Sequence, residues 1–182
     1  MKEALKPVSA LLISVAILLT GQGLQGTLLP IRASVESFST TSIGFMGAAY
    51  FLGFTIGCLM GVYLVKRVGH IRVFLAMTAV ASTTALIHAL FLYPWFWIFM
   101  RMLTGFCFAV LFVVIESWVN NRSSNENRGV IFSVYVMITL SVQAVGQFLI
   151  LLYKPDGIEL FAIISILITI AAIPIALSTS PA

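Results

Sequence analysis

Six long apolar runs, separated by short polar breaks, constrain this chain more than any other feature of its sequence. A hydrocarbon layer of about 30 Å is crossed by about 20 residues of α-helix, and each run is long enough for that. The sequence therefore predicts an all-α membrane protein with six transmembrane helices. They are predicted at residues 8–29, 42–65, 73–92, 95–119, 130–153 and 158–177.

The composition excludes a soluble protein. Only 9% of the 182 residues are charged and 60% are hydrophobic, whereas about 25% of the residues in a soluble domain are charged. Too few charges are present to cover a surface that faces water. The six helices use almost the whole chain, so we expect a single transmembrane domain over residues 1–182, with no catalytic domain and no cofactor.

The basic residues predict how the chain is oriented in the lipid bilayer. With the N-terminus inside, the cytoplasmic segments hold seven Lys and Arg residues and the outer loops hold two. The inner seven are Lys2, Lys6, Lys66, Arg67, Arg72, Arg122 and Arg128, and the outer two are Arg32 and Lys154. Because Lys and Arg favour the cytoplasmic side, both termini are predicted in the cytoplasm. This distribution also explains the net charge of +4 without a nucleic-acid partner.

Polar side chains from three predicted helices lie at one level of the bilayer. Counted at 1.5 Å per residue, Gln22, Gln25, Gln143 and Gln147 lie roughly 20–25 Å from the inner surface, and Arg101 lies near the same level. We interpret these five residues as the lining of a substrate cavity that suits a polar or anionic solute. The alternatives are that the glutamines only hydrogen-bond between helices, and that Arg101 reaches to the outer interface.

Glu116 is the only carboxylate well inside a predicted span, about one turn from the inner end of the fourth helix. A basic segment at residues 66–72, KRVGHIR, is predicted as a seven-residue turn at the same level. A charge buried at the membrane edge needs a partner, and Arg67 or Arg72 is the expected one. The alternative is a solvated carboxylate at a helix end.

Catalysis and metal binding have no support in the sequence. Cys58 and Cys107 lie inside predicted helices, where a thiol behaves as a small apolar side chain, so neither a disulfide nor a metal site is expected. Neither a His-Glu-x-x-His pair nor a Gly-x-Ser-x-Gly turn is present, so an intramembrane enzyme is the weakest interpretation.

The basic segment resembles the signature loop of the major facilitator superfamily. Arg67, Gly69 and Arg72 stand at matching positions. Lys66 replaces the Asp that is usual there, and His70 replaces the usual Arg. The acidic member of the usual charge network is therefore missing from its usual place.

Further motifs carry the same resemblance. Arg101 and Gly105 look like the Arg and Gly of the family's helix-four motif, with Thr104 in place of the more common Gln. The stretches ESWVNN at 116–121 and NENRG at 125–129 are similar to an uncharacterised bacterial branch, the YcaD-like proteins.

The resemblance implies both a fold and a function. Members of this superfamily have twelve helices in two halves, with the substrate path between the halves. On this basis the chain corresponds to the N-terminal six-helix half bundle of a transporter in the bacterial inner membrane. Its expected partners are a small-molecule solute, a coupling proton, and either a second half or a second copy in a homodimer. The alternative is a truncated fragment or an assembly partner with no transport activity of its own.

The resemblance also implies a role for the cytoplasmic charges. In the superfamily, an acidic residue at the end of helix four joins the Arg of the signature loop in a network that holds one conformation closed. Glu116 looks like that residue, and Arg67, Arg72 and Gly69 occupy the loop. We expect these four residues to gate the cytoplasmic side.

Overall fold

The computed structural model describes residues 9–177, and within them six helices are long and apolar enough to cross a membrane. The predicted all-α architecture with six spans is therefore confirmed. The helices are α1 (Ser9–Val35), α2 (Thr40–Val68), α3 (His70–Leu90), α4 (Pro94–Asn121), α5 (Arg128–Phe148), α6 (Glu159–Ile170) and α7 (Ala172–Ala176), with a 3₁₀-helix at Leu149–Leu152. The predicted start of the first span at residue 8, Lys2, Lys6 and the last five residues lie outside the described part of the chain.

The sixth span consists of two helices, α6 and α7, which meet at Ala171. Pro174 lies in the second of them. A proline has no N–H to donate to the carbonyl four residues earlier, and its ring crowds that carbonyl. The helical hydrogen bonding is therefore interrupted just before Pro174, although the span as a whole stays apolar.

The first span is longer than the sequence predicts. We expected it to end near residue 29 and Arg32 to lie in an outer loop, but α1 continues to Val35 and buries Arg32. The guanidinium is neutralised locally: Nη2 lies 2.7 Å from Oε1 of Glu36, and Nη1 donates to the carbonyl of Pro155 at 3.1 Å. Because these partners satisfy the charge within the fold, Arg32 does not end the helix.

The predicted seven-residue turn at 66–72 is also wrong. Lys66 and Arg67 belong to the last turn of α2, Arg72 belongs to the first turn of α3, and only Gly69 separates the two helices. Gly69 has φ 92° and ψ 156°, a backbone region that is essentially open to glycine alone. A single residue therefore reverses the chain, and the basic side chains project from helices.

Two closely packed helix pairs organise the bundle, and the first is α2 with α4. A Cβ on Gly53 would overlap the carbonyl oxygen of Met102, and a Cβ on Gly105 would overlap that of Tyr50. The two backbones are therefore in direct contact. Gly53, Gly57 and Gly61 recur every four residues along α2 and are all buried, so this spacing has a structural role in helix packing.

The second pair is α1 with α5, and it is built in the same way. A Cβ on Gly23 would overlap the carbonyl oxygen of Gln143, and one on Gly146 would overlap that of Thr20. The two pairs share one contact pattern. In each pair, the glycine of one helix packs against the residue that precedes the partner helix's glycine by three positions. The α1–α5 pair therefore repeats the contact geometry of the α2–α4 pair.

The core lies behind these two pairs. Helices α3 and α6 pack against each other and against α4 and α1, and they bury large side chains such as Phe74 and Phe161. By contrast, α2 buries only Met46 and three glycines, and α5 buries only Ile131, Tyr135 and Gly146 among the described residues. Helices α2 and α5 are consequently the most exposed spans of the bundle.

Candidate functional site

A cavity of about 380 Å³ lies where the two helix pairs face each other. Its volume falls within the range of small-molecule sites, roughly 300–1,000 Å³. All five residues predicted from their depth line it, and they come from α1, α4 and α5. The described residues that line it are Gln22, Gly23, Gln25, Gly26, Thr27, Tyr50, Phe51, Arg101, Gln143 and Gln147. The structure thus brings the five residues together, and their role in binding a solute stays a prediction.

Three of the lining side chains form a hydrogen-bonded relay across the cavity. Nε2 of Gln143 donates to Oε1 of Gln22 at 3.1 Å, and Nε2 of Gln22 donates to the hydroxyl of Tyr50 at 2.9 Å. The relay therefore runs from α5 through α1 to α2. It joins the two helix pairs, which have far fewer close contacts with each other than the helices within each pair have.

Arg101 lies over the ring of Tyr50, with Cζ 4.3 Å from the ring centroid. This distance gives a cation–π interaction, which holds one face of the guanidinium. No Asp or Glu of the described residues lines the cavity, and within residues 9–177 the guanidinium has neither an ion pair nor a hydrogen bond. Among the described residues, Arg101 therefore gives the cavity a positive charge that no acidic side chain compensates.

Gln25 and Gln147 differ in their surroundings. Gln25 is only 1% exposed, and neither atom of its amide has a hydrogen-bond partner among the described residues. Leaving a buried polar group unpaired costs about 1–3 kcal/mol. Gln147 is exposed, so its amide can be hydrated at no such cost.

The charges that we predict at the cytoplasmic side are not paired as the resemblance implies. Glu116, Arg67 and Arg72 are all exposed, and within residues 9–177 Glu116 has no ion pair. Instead, the hydroxyl of Tyr135 donates to Oε1 of Glu116 at 3.5 Å, and Nη1 of Arg67 donates to the hydroxyl of Tyr63 at 3.4 Å. Both distances are at the outer limit for a hydrogen bond. The gating role of Glu116 stays a prediction.

The sequence did not predict two polar contacts that the structure contains. Tyr50 lies roughly 27 Å from the inner end of α2 by the same count of 1.5 Å per residue, so its depth could have indicated it. The second contact joins the start of α3 to the last turns of α4, where Nε2 of His70 lies 3.0 Å from the Ser117 hydroxyl. No sequence pattern indicates that pair, because it depends on how the two helices pack.

These features define a class of protein: a multi-pass helical membrane protein with a polar cavity between two tightly packed helix pairs. Residues 11–182 match the sequence profile of the Major Facilitator Superfamily. The chain therefore belongs to the Major Facilitator Superfamily, a family of membrane transporters rather than of enzymes.

Individual relatives agree with this assignment. The chain is 27% identical over 170 residues to a protein of Escherichia fergusonii described as an uncharacterized MFS-type transporter, YcaD, and 28% identical over 145 residues to the protein of that description in Escherichia coli O45:K1. These alignments cover 93% and 80% of this chain but only 44% and 38% of the relatives. The chain thus spans less than half the length of the relatives it matches. No solved structure gives a significant match.

Proposed function

We propose that this chain forms one half of a secondary active transporter of the bacterial inner membrane, and that the cavity is its share of the solute-binding site. One observation carries the proposal: polar side chains from four different spans converge on a single cavity. Polar groups at bilayer depth are costly and usually line a solute path or hold helices together. Packing alone does not require a cavity or an unpaired arginine, so a solute path accounts for more of the geometry.

The other half of the site would be supplied by a second six-helix unit. Helices α2 and α5 border the cavity, and they are the spans with the largest exposed fraction. Their exposed apolar side chains include Phe51, Leu59, Met137 and Leu140. A unit packed there would close the cavity and complete the path. We propose that it is either the remainder of a longer chain or a second copy of this one.

Transport would then occur by rocking of the two units around the cavity, driven by an ion gradient with a proton as the coupling ion. The sequence contains no Gly-Lys-Ser/Thr loop that would bind nucleotide phosphates. In such a cycle the cavity faces each side of the membrane in turn.

Cysteine labelling tests this proposal. In a background without Cys58 and Cys107, Gln147→Cys is expected to react with a membrane-impermeant thiol reagent from either side of native membranes, where any partner is present. Ile166→Cys is the control, because Ile166 is exposed on α6 and does not line the cavity. We expect no labelling there. Labelling of Gln147→Cys from one side only, or from neither, would support the alternative of a membrane protein without transport activity.

A further inference from the structure

We infer that the cavity binds a small organic anion through a carboxylate that is held by Arg101 and Tyr50. This inference rests on the proposed function, since it names the class of solute for the same site. Three observations support it: the charge of the cavity, the direction of its hydrogen bonds and its apolar surfaces.

The charge of the cavity is the first argument. Among the described residues that line the cavity, Arg101 is the only charged one, and it has no acidic partner within residues 9–177. An unpaired cation inside the membrane is costly, so a bound anion would relieve that cost. The Tyr50 ring centroid lies 4.3 Å from Cζ of the guanidinium, and the N–H edges of the guanidinium have no hydrogen-bond partner among residues 9–177. Those edges match the two oxygens of a carboxylate in a bidentate arrangement.

The direction of the relay is the second argument. With the amide orientations that the structure assigns, Gln143 donates to Gln22, and Gln22 donates to the Tyr50 hydroxyl. A phenol that accepts one hydrogen bond still has its own proton to donate. No acceptor for that proton is present among residues 9–177. The relay therefore ends in a donor beside the guanidinium, which is the arrangement that an oxyanion requires.

The surfaces of the cavity are the third argument. Phe51 and Gly26, at which an added Cβ would meet nothing within 4 Å, line it together with the polar residues. They offer an aromatic ring and bare backbone to the uncharged part of a ligand. One guanidinium balances one negative charge, so a monoanion with a carbon skeleton fits better than a multiply charged inorganic anion.

Two matched sets of ligands test the inference. The first is lactate, lactamide and 1-amino-2-propanol, and the second is benzoate, benzamide and benzylamine; each set has one anion, one neutral amide and one cation of similar shape. The tagged chain would be purified from native membranes with any bound partner, placed in nanodiscs and titrated by ligand-observed NMR, with inorganic phosphate as a competitor. We expect at least one carboxylate to bind about tenfold or more tightly than its amide and its amine, and phosphate to compete weakly.

Variants connect this preference to the named residues. Arg101→Gln is expected to remove the preference for the carboxylate, and Tyr50→Phe to weaken carboxylate binding about threefold to tenfold while the ring remains over the guanidinium. Arg128→Gln is the control, because it removes an exposed cation that does not line the cavity. Carboxylate binding there should be unchanged.

The outcomes separate this inference from the proposed function. If an amide or an amine binds as tightly as its carboxylate, and Gln22→Leu abolishes that binding, the cavity is a solute site but the preference for anions is wrong. That result would be expected if a second unit supplied a carboxylate to Arg101. Equal displacement by phosphate would also overturn the organic-anion class. If no ligand of any charge binds, both the inference and the cavity's role in the proposed function are wrong.

Discussion

Gln25 combines a buried position with an amide that has no hydrogen-bond partner among residues 9–177. An unpaired buried amide lowers stability, so a side chain of this kind is more useful for binding than for folding. The neighbouring Gln22 is different, because its amide donates to Tyr50 and accepts from Gln143. Gln25 is therefore expected to lower the stability of the fold, whereas Gln22, three residues earlier on the same helix, is expected to increase it.

We predict that Gln25→Leu raises thermal stability and lowers solute binding. Leucine is close in size to glutamine and has no polar atoms, so the substitution removes a cost of about 1–3 kcal/mol. Thermal unfolding of the purified protein in detergent is the measurement. Gln147→Leu is the control, because Gln147 is exposed and its loss should change stability by less than about 0.5 kcal/mol. A lower unfolding temperature for Gln25→Leu would show that the amide is satisfied in the folded protein.

The glycines of α2 differ in how closely they pack against α4. On α2, a Cβ at Gly53 would overlap the carbonyl oxygen of Met102, and one at Gly61 would meet only the side chain of Val113, at 3.2 Å or more. A Cβ at Gly44 would have no neighbour within 4 Å. Contact with the backbone of α4 is therefore closest near the middle of α2.

This gradient predicts the order of three substitutions. Gly53→Ala should destabilise the protein by about 1–3 kcal/mol, because the two backbones must separate. Gly61→Ala should have a smaller effect, since a valine side chain can shift. Gly44→Ala should be neutral or stabilising by up to about 1 kcal/mol, because alanine has a higher helix propensity than glycine. Unfolding temperatures of the three variants in one detergent would establish the order, and a neutral Gly53→Ala would contradict the close approach of α2 and α4.

The inner ends of α2, α3 and α4 carry the charges that we expect to gate the cytoplasmic side. In the described residues Glu116 contacts Tyr135 and has no ion pair, so pairing with Arg67 or Arg72 requires a different arrangement of these ends. Exposed ion pairs contribute only about 0–1 kcal/mol. Such a pair would bias the balance between two conformations more than it would stabilise the fold.

Charge reversal tests this gate. We predict that Glu116→Lys opens the inner side, seen as faster thiol labelling of Asn120→Cys in native membranes, and that adding Arg67→Glu or Arg72→Glu partly restores slow labelling. Glu126→Lys is the control, because it reverses another exposed acid in the α4–α5 connection. If neither double variant differs from Glu116→Lys alone, the proposed pairing is incorrect.

For the whole molecule, we predict the orientation from the six spans among residues 9–177 and from the distribution of basic residues. We predict that a reporter fused after Ala182 reports a cytoplasmic location and that one inserted between α1 and α2, at residues 36–39, reports the outer side. Ala182 itself lies outside the described residues. An outer location for the fusion at Ala182 would contradict six spans with an inner N-terminus.

The whole bundle also shows where prediction from sequence was accurate. Apolar runs define transmembrane helices because the bilayer excludes unpaired backbone groups, so six spans could be identified without any knowledge of packing. The ends of the spans were predicted less accurately. Arg32 lies inside α1 because Glu36 and Pro155 satisfy it, and the segment 66–72 is helical on both sides of Gly69.

The sequence by itself determined that six apolar spans lie among the described residues, because length and hydropathy are local properties, and it predicted a common level for Gln22, Gln25, Arg101, Gln143 and Gln147 from the rise per residue. Only the tertiary structure decided which faces meet. It added Tyr50 to the relay, placed Arg101 on the ring of Tyr50 and left Glu116 without an ion pair in the described residues. Those outcomes depend on the rotation of each helix and on close backbone approach at Gly23, Gly53, Gly105 and Gly146, which bring residues far apart in sequence into contact.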